Sequence, residues 1–199
     1  MTKSGISAAI LAGGDSMRFG GITKPNIVIE GIPIIIRILT TIREMFPEII
    51  LVTNKPEEFN QYRDIKVTED IIPGAGPIGG VHAALSVSSN EAVFVFAGDM
   101  PFLDKKIIIS QRDAFSKGNM DILVPRTGNL VEPLHAVYRK RILDSLEYFI
   151  TEKHKRSIRD YIAESETGYF DLPETESVRH AFTNINSPSD LEKYNLKNL

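Results

Sequence analysis

A chain of 199 residues is long enough to bury a sizeable core and is most simply a single domain. Its hydrophobic fraction of 42% and charged fraction of 25% are typical of an ordinary soluble globular protein. The net charge of −3 gives no general attraction to nucleic acid or anionic membranes, and the absence of cysteine excludes disulfides, thiolate metal sites and cysteine nucleophiles.

Strand-like and helix-like segments alternate through the first half of the chain. They are, in order, a strand over Ile6–Ala12, a helix over Ile34–Phe46, a strand over Ile49–Thr53, a short helix or loop over Pro56–Tyr62, a short strand over Ile65–Val67, a helix over Pro77–Ser88 and a strand over Ala92–Ala97. This alternation predicts an α/β fold with a mostly parallel central sheet and helices on both faces.

The pattern changes after about residue 104. The predicted elements are a helix over Lys105–Ser116, strands over Asp121–Val124 and Leu134–Tyr138, helices over Arg139–Thr151 and Ser157–Ala163, a last strand over Ala181–Ile185 and a helix over Pro188–Tyr194 capped by Ser187. Besides the glycine-rich segment described next, the softest regions are expected at Pro73–Gly80, Pro125–Val131 and Glu164–Val178, which are rich in Gly, Pro or charge. We find no internal repeat and no linker, and therefore expect one domain over residues 1–199.

A glycine-rich segment follows the first predicted strand: Leu11-Ala12-Gly13-Gly14-Asp15-Ser16-Met17-Arg18-Phe19-Gly20-Gly21-Ile22-Thr23-Lys24-Pro25. Glycines permit positive φ, so several amide N–H groups can point at one anion, and Arg18 and Lys24 add the positive charge that a triphosphate needs. The segment is neither a Walker loop nor the dinucleotide fingerprint. It predicts a phosphate-binding loop; the alternative is a glycine-rich surface turn with two solvated cations.

Three polar residues, Asn54, Asp70 and Asp99, each follow a predicted strand. A lone carboxylate near phosphates suits Mg²⁺, so Asp99 is the candidate metal ligand; alternatively it caps the next helix or forms an Asx turn. Asp70 and Asn54 are candidates to bond a base or ribose, or simply to fix turns. Because strand ends of an open α/β sheet form its ligand edge, we expect all three near the glycine-rich segment.

Five motifs, in order, resemble the molybdenum cofactor guanylyltransferase family of nucleotidyltransferases. They are Leu11-Ala12-Gly13-Gly14-Asp15-Ser16-Met17-Arg18-Phe19-Gly20 with Thr23-Lys24, Gly76-Pro77-Ile78-Gly79-Gly80, Gly98-Asp99-Met100-Pro101, Glu132-Pro133-Leu134-His135-Ala136-Val137-Tyr138-Arg139, and Asn184-Ile185-Asn186-Ser187-Pro188-Ser189-Asp190-Leu191. The family often has Asp where this chain has Thr23. The resemblance covers nearly the whole chain and implies a single-domain, Rossmann-like nucleotidyltransferase fold. It also implies an enzyme that joins GMP to molybdopterin.

The resemblance also implies a role for each matching residue. The predicted contacts are Leu11, Ala12, Gly13 and Gly14 with GTP, Arg18 and Lys24 with its phosphates, Asn54 and Asp70 with its nucleoside, Asp99 with Mg²⁺ and GTP, and Asn184, Asn186 and Arg156 with the molybdopterin acceptor. Residues 1–103 would form the nucleotide-binding half and residues 104–199 the acceptor-binding half. The implied partners are GTP, molybdopterin and proteins that deliver or receive the molybdenum cofactor, with no nucleic acid and no membrane.

The chemistry expected is in-line attack by the terminal phosphate of molybdopterin on the α-phosphorus of GTP. Such a nucleophile is already ionised, so no general base is required, and His135 is expected to be packed or hydrogen-bonded rather than a base or metal ligand. Two alternatives stay open: a cytidylyltransferase or other nucleotidyltransferase of the same fold, and a nucleotide-binding accessory protein without turnover. With no secretory signal and no apolar stretch of ~18 residues, we expect a cytoplasmic protein.

Overall fold

An eight-stranded β-sheet lies at the centre of the structure, a computed structural model that describes residues 5–13 and 23–195. The strands, two of which form a separate hairpin, are β1 (Ile6–Leu11), β2 (Val28–Ile29), β3 (Ile32–Pro33), β4 (Ile49–Val52), β5 (Lys66–Thr68), β6 (Ala92–Ala97), β7 (Ile122–Thr127), β8 (Leu130–Val131), β9 (His135–Arg139) and β10 (Thr167–Leu172). The helices are α1 (Ile34–Ile42), α2 (Pro77–Val87), α3 (Lys105–Lys117), α4 (Leu143–Thr151), α5 (Ile158–Glu164), α6 (Glu176–Ala181) and α7 (Pro188–Asn195), with short 3₁₀ turns at Lys24–Asn26, Pro56–Phe59 and Lys140–Ile142.

The strand order is β10-β7-β9-β6-β1-β4-β5, with β8 paired to β7 and the β2–β3 hairpin apart. Pairs β6–β1, β1–β4, β4–β5 and β7–β10 are parallel. Strand β9 runs antiparallel to both β6 and β7. The amino end of β9 therefore lies at the same sheet edge as the carboxyl ends of β1, β4, β5 and β6.

Helices cover both faces of this sheet, as predicted. In the central strand β6, Phe94 and Phe96 pack on the side of α1 and α3, whereas Val93 and Val95 pack on the side of α2, α4 and α5. All six residues of β6 are buried, which is the continuous apolar pattern of a strand enclosed on two faces. The α/β fold with a mostly parallel sheet is confirmed.

Most of the expected elements lie within a few residues of their predicted bounds, but three predictions need correction. Helix α1 ends at Ile42 rather than Phe46, and the predicted helix over Arg139–Thr151 begins only at Leu143, because Arg139 belongs to β9. The predicted strand over Ala181–Ile185 is wrong: α6 ends at Ala181, and the Ile185 N–H donates to the Asp99 carbonyl at 2.9 Å instead of joining a ladder.

A fourth prediction also needs correction: we expected Glu164–Val178 to be soft. Its middle forms β10, an edge strand in parallel register with β7, and its end begins α6, which the Thr175 hydroxyl caps by accepting from the Val178 N–H at 3.3 Å. The predicted Ser187 cap of the last helix is confirmed by a 3.3 Å bond from the Asp190 N–H. Within the described ranges, no helix is long and apolar enough to cross a membrane.

Candidate functional site

The residues predicted to form the site follow the carboxyl ends of four parallel strands. Gly13 follows β1, Asn54 follows β4, Asp70 follows β5 and Asp99 follows β6. Backbone hydrogen bonds hold these ends together: the Ala12 N–H donates to the Val52 carbonyl at 2.8 Å. The sheet thus brings residues from distant parts of the chain to a single edge, where open α/β folds bind ligands.

A cavity of about 280 Å³ opens at this edge. The residues that line it include Leu11, Gly13, Lys24, Asp70, Gly76 and Asp99. Gly76 has a φ of 72° and precedes α2, so the amino end of that helix borders the cavity. The unpaired N–H groups of a helix amino end favour an anion, and the first turn of α2 contains no acidic residue.

Lys24 and Asp99 meet at the mouth of the cavity. Lys24 Nζ lies 2.8 Å from Asp99 Oδ2 and donates a second hydrogen bond to Asn186 Oδ1 at 2.7 Å. The Lys24 and Asp99 side chains are 27% and 16% exposed, so the pair is reached by solvent and by a ligand. The expectation that these two residues face one cavity is confirmed; their roles in catalysis stay predictions.

The Lys24 side chain is positioned by a short anchored turn. The 3₁₀ turn Lys24–Asn26 has a buried proline at its second residue. On either side of that proline, the Thr23 hydroxyl and the Asn26 amide donate to Glu58 Oε2 at 2.5 and 3.0 Å. The hydrogen bond from Thr23 is the main cause that lowers the pKa of Glu58. Thr23 is therefore a buried residue that holds the turn in place.

The Asp99 backbone is held from two sides. The preceding Gly98 donates its N–H to the Leu11 carbonyl at 2.9 Å, and a Cβ at Gly98 would lie only 2.7 Å from that oxygen and 2.8 Å from Pro25 Cγ. The Ile185 N–H donates to the Asp99 carbonyl at 2.9 Å. The alternative role of Asp99 as a helix cap is wrong, because Asp104 caps α3 by accepting from Lys106 and Ile107.

Asn54 and Asp70 pair with each other across the far side of the site. The Asn54 amide donates to Asp70 Oδ2 at 3.1 Å, and the Asp70 N–H donates back to Asn54 Oδ1 at 3.4 Å. Asp70 also lines the cavity. The two residues thus form one polar unit rather than two separate contacts.

The predicted acceptor residues are spread around the rim. Asn186 reaches Lys24, Asn184 is half-buried in the same segment, and Arg156 donates to the Gly74 carbonyl at 2.8 Å beside the loop that begins α2. The predicted residues Gly14 and Arg18 lie outside the described residues.

Glu132 is an acidic residue of this edge to which we assigned no role from the sequence. It precedes β9, whose antiparallel direction places Glu132 at the edge that carries Asp99. Burial is the main cause that raises the pKa of Glu132; Asp99 raises it further and Arg159 opposes the shift. The carboxyl groups of Glu132 and Asp99 therefore influence each other electrostatically.

His135 is packed and hydrogen-bonded, as expected. It is 1% exposed, its Nδ1 lies 3.2 Å from Gln111 Oε1, and its ring meets Phe94 and Phe96 edge-on. Burial lowers the pKa of His135 to about 4, so the imidazole is neutral at physiological pH. It lies in the core and not in the cavity.

The donor set at Lys24 fits a hard divalent cation. Asp99 and Asn186 both present oxygen atoms to one positive charge, and oxygen is the ligand that Mg²⁺ prefers. No group of three or more His, Asp or Glu side chains in the described part of the chain is placed to hold a metal. A cation here would therefore take most of its ligands from water and phosphate, which is usual for Mg²⁺.

Comparison with known proteins gives consistent findings. The family model described as "MobA-like NTP transferase domain" matches residues 8–167. A protein of Clostridium perfringens (strain SM101 / Type A), named "Probable molybdenum cofactor guanylyltransferase", is 33% identical over 190 residues, which covers 94% of each chain. The crystal structure of molybdopterin-guanine dinucleotide biosynthesis protein A from Archaeoglobus fulgidus has a TM-score of 0.80 at 26% identity, covering 95% of this chain and 96% of that one.

A more distant structure shares the fold alone. The 2-C-methyl-D-erythritol 4-phosphate cytidylyltransferase of Thermus thermophilus has a TM-score of 0.69 at 14% identity, covering 96% of this chain and 98% of that one.

Proposed function

The chain belongs to the MobA-like NTP transferase family, and from this premise we propose that it transfers GMP from GTP to molybdopterin and releases pyrophosphate. The observation that carries the proposal is the 2.8 Å contact between Lys24 Nζ and Asp99 Oδ2, two residues that line the cavity at the carboxyl ends of the parallel strands. It joins a phosphate-binding cation and a metal-binding carboxylate beside a helix amino end. Family membership supplies the reaction class and this geometry supports its location.

The reaction needs no general base. An oxygen of the terminal phosphate of molybdopterin forms a bond to the α-phosphorus of GTP, and the bond from that phosphorus to the α,β-bridging oxygen breaks. Pyrophosphate leaves with the bridging oxygen and its electron pair. Because the attacking oxygen is already ionised at neutral pH, catalysis consists of aligning the two phosphates and neutralising their charge.

The described residues can supply both functions. Leu11 and Gly13 line the cavity, which supports the proposal that the backbone of Leu11, Ala12 and Gly13 contacts the nucleotide. The Asn54–Asp70 pair would offer hydrogen bonds to its base or ribose. Lys24 and the amino end of α2 supply positive charge for the phosphates. Gly14 and Arg18 stay in the proposal as further phosphate contacts.

We also propose Mg²⁺ as the cofactor, with Asp99 as its protein carboxylate and Asn186 beside it. When bound, the ion neutralises phosphate charge as a Lewis acid. Asp99 suits this role because backbone hydrogen bonds at Gly98 and from Ile185 hold its main chain at the edge of the sheet, and its carboxylate lines the cavity.

The acceptor is proposed to bind on the side formed by residues 104–199, opposite the nucleotide half formed by residues 1–103. Asn184, Asn186 and Arg156 support this division because all three lie in the second half, and two of them contact Lys24 or the loop before α2. Molybdopterin, and proteins that deliver or receive it, would approach from this side. The absence of cysteine supports a cytoplasmic location, which stays a prediction.

Pyrophosphate release from GTP, with molybdopterin and Mg²⁺ present, tests the proposal. We expect release by the wild type and by Asp113→Asn, which changes a surface aspartate of α3 that is 56% exposed. We expect Asp99→Asn to lose about a hundredfold or more in rate, the size of effect seen when one preorganised electrostatic group is removed. An Asp99→Asn rate equal to that of Asp113→Asn would refute the assignment.

The shared fold leaves cytidine transfer as a second candidate. Thermal shifts with GTP, CTP, ATP and UTP distinguish the two, because a ligand at a hundred times its Kd raises stability by roughly 2.7 kcal/mol. Stabilisation by CTP and not GTP would favour the cytidylyltransferase. GTP binding without pyrophosphate release would favour an accessory protein.

A further inference from the structure

The ammonium group of Lys24 lies between two oxygen atoms from different parts of the chain. Asp99 Oδ2 is 2.8 Å away and Asn186 Oδ1 is 2.7 Å away. These are two of the oxygens that the proposed function places near a divalent cation. In this structure both oxygens instead accept hydrogen bonds from the ammonium group of Lys24.

The main chain that carries these two side chains is held independently of Lys24. The Asp99 carbonyl accepts from the Ile185 N–H at 2.9 Å, and the adjoining Asn186 N–H donates to Asp190 Oδ2 at 3.1 Å. The same Asp190 oxygen accepts from the Ser187 hydroxyl at 2.9 Å. These contacts keep the backbone of Asp99 next to the segment that carries Asn186, whether or not the lysine side chain lies between the two side chains.

We propose that the Lys24 ammonium occupies the position of the divalent cation, and that the cation displaces it. This inference rests on the proposed function only in taking Asp99 as a metal ligand. Two positive charges that share the same carboxylate oxygen repel each other, so ammonium and metal exclude one another there. The lysine can leave because its four-carbon stem is flexible and a partly exposed ion pair is weak.

The exchange sets the order in which ligands bind. Without nucleotide, a metal ion has to break the Lys24 contacts and leave the ammonium without an anionic partner. With nucleotide, the phosphates accept the ammonium and add their own oxygens to the metal. The protein therefore binds the metal ion weakly in the absence of nucleotide and tightly when a nucleoside triphosphate is also bound.

Calorimetric titration with Mn²⁺, in the absence of any nucleotide, tests the exchange. We expect Lys24→Met and Lys24→Gln to bind Mn²⁺ about fivefold tighter than the wild type, because the competing cation is gone. Lys153→Met is the matched control: it breaks a lysine–carboxylate contact to Glu164 that is also 2.8 Å long, away from the cavity. We expect its Mn²⁺ affinity to equal that of the wild type.

Equal or weaker Mn²⁺ binding by both Lys24 variants would overturn the inference. A gain that persists in the double variant Lys24→Met with Asp99→Asn would also overturn it, because the metal would then lie elsewhere. Loss of the gain in that double variant supports the inference. Pyrophosphate release by the wild type is measured separately, so failure of the transfer reaction and failure of the cation exchange are distinguishable.

Discussion

Gly98→Ala tests whether the close approach between the end of β6 and the Lys24 turn positions the site. The new Cβ would lie 2.7 Å from the Leu11 carbonyl oxygen and 2.8 Å from Pro25 Cγ, where ordinary contact begins at 3.4 Å. Relief requires movements of about 0.7 and 0.6 Å, and Pro25 directly follows Lys24. Overpacking of this kind costs about 1–3 kcal/mol of unfolding free energy.

The displacement is also expected to change activity, because a misplacement of about 1 Å can cost about a hundredfold in rate. We therefore expect Gly98→Ala to lower the pyrophosphate-release rate by about tenfold to a hundredfold. Gly5→Ala is the control: its Cβ meets only Asn90 Oδ1 at 3.9 Å, and it shares any effect on the unfolded chain. Urea unfolding and the release assay are done on both variants, and equal stability and rate for the two would refute the reasoning.

Three further substitutions use pH and stability as readouts. Thr23→Val removes the 2.5 Å hydrogen bond to Glu58, so we expect it to lower the unfolding free energy by about 1 kcal/mol at neutral pH. Because that bond lowers the pKa of Glu58, the loss should shrink as acid protonates the carboxylate. A loss that stays constant down to about pH 3 in urea unfolding would contradict this. Glu132→Gln is expected to be more stable than the wild type at pH 7 but not below pH 4.5, the ordinary pKa of glutamate. Burial raises the pKa of Glu132, so the wild type loses stability as the pH rises through that pKa and the carboxyl group becomes charged. Urea unfolding of both proteins at pH 7 and below pH 4.5 checks the sign. We expect the wild type to lose roughly 3 kcal/mol of unfolding free energy between pH 6.5 and about 4, because burial lowers the pKa of His135. His135→Asn is expected to flatten that slope, whereas His154→Asn, which changes an exposed histidine, is expected to keep it.

The fold of residues 1–103 was predictable because strands β1, β4 and β6 are buried on both faces. Strand β6 has six consecutive apolar, buried residues, and the structure places it at Ala92–Ala97, the predicted bounds. Parallel strands end at one edge of a sheet, so the sequence alone indicates that the residues that follow them lie together. Lys24 and Asp99 illustrate this: they are 75 residues apart and their side chains touch.

The elements of residues 104–199 were harder to predict, because the sequence patterns of the short strands and helices are weak. Residues 181–185 contain apolar and β-branched residues, yet they form no strand: Ile185 packs in the hydrophobic core and its N–H donates to the Asp99 carbonyl. Strand β10 alternates partly buried with exposed residues at Tyr169 and Asp171, as edge strands do, and its charge resembled that of a loop. In both segments the structure depends on contacts with distant residues: Ile185 bonds to Asp99, and β10 pairs with β7.

The role of Glu132 could not be inferred from spacing, because it depends on strand direction. A parallel β9 would place Glu132 at the opposite edge of the sheet from Asp99. Antiparallel pairing, with Phe96 opposite His135, brings Glu132 to the cavity side. The contact of Thr23 with Glu58 was equally hidden, since 35 residues and a helix separate the two.

The contact between Lys24 and Asn186 spans 162 residues of sequence. During translation, the residues of β1, β4, β5 and β6 and of the Asn54–Asp70 pair are synthesised long before residue 186. Until then Asp99 lacks its hydrogen bond from Ile185, and the lysine has only one of its two oxygen partners. A ribosome-bound fragment can thus carry both Lys24 and Asp99 before Asn186, the second oxygen partner of that lysine, exists.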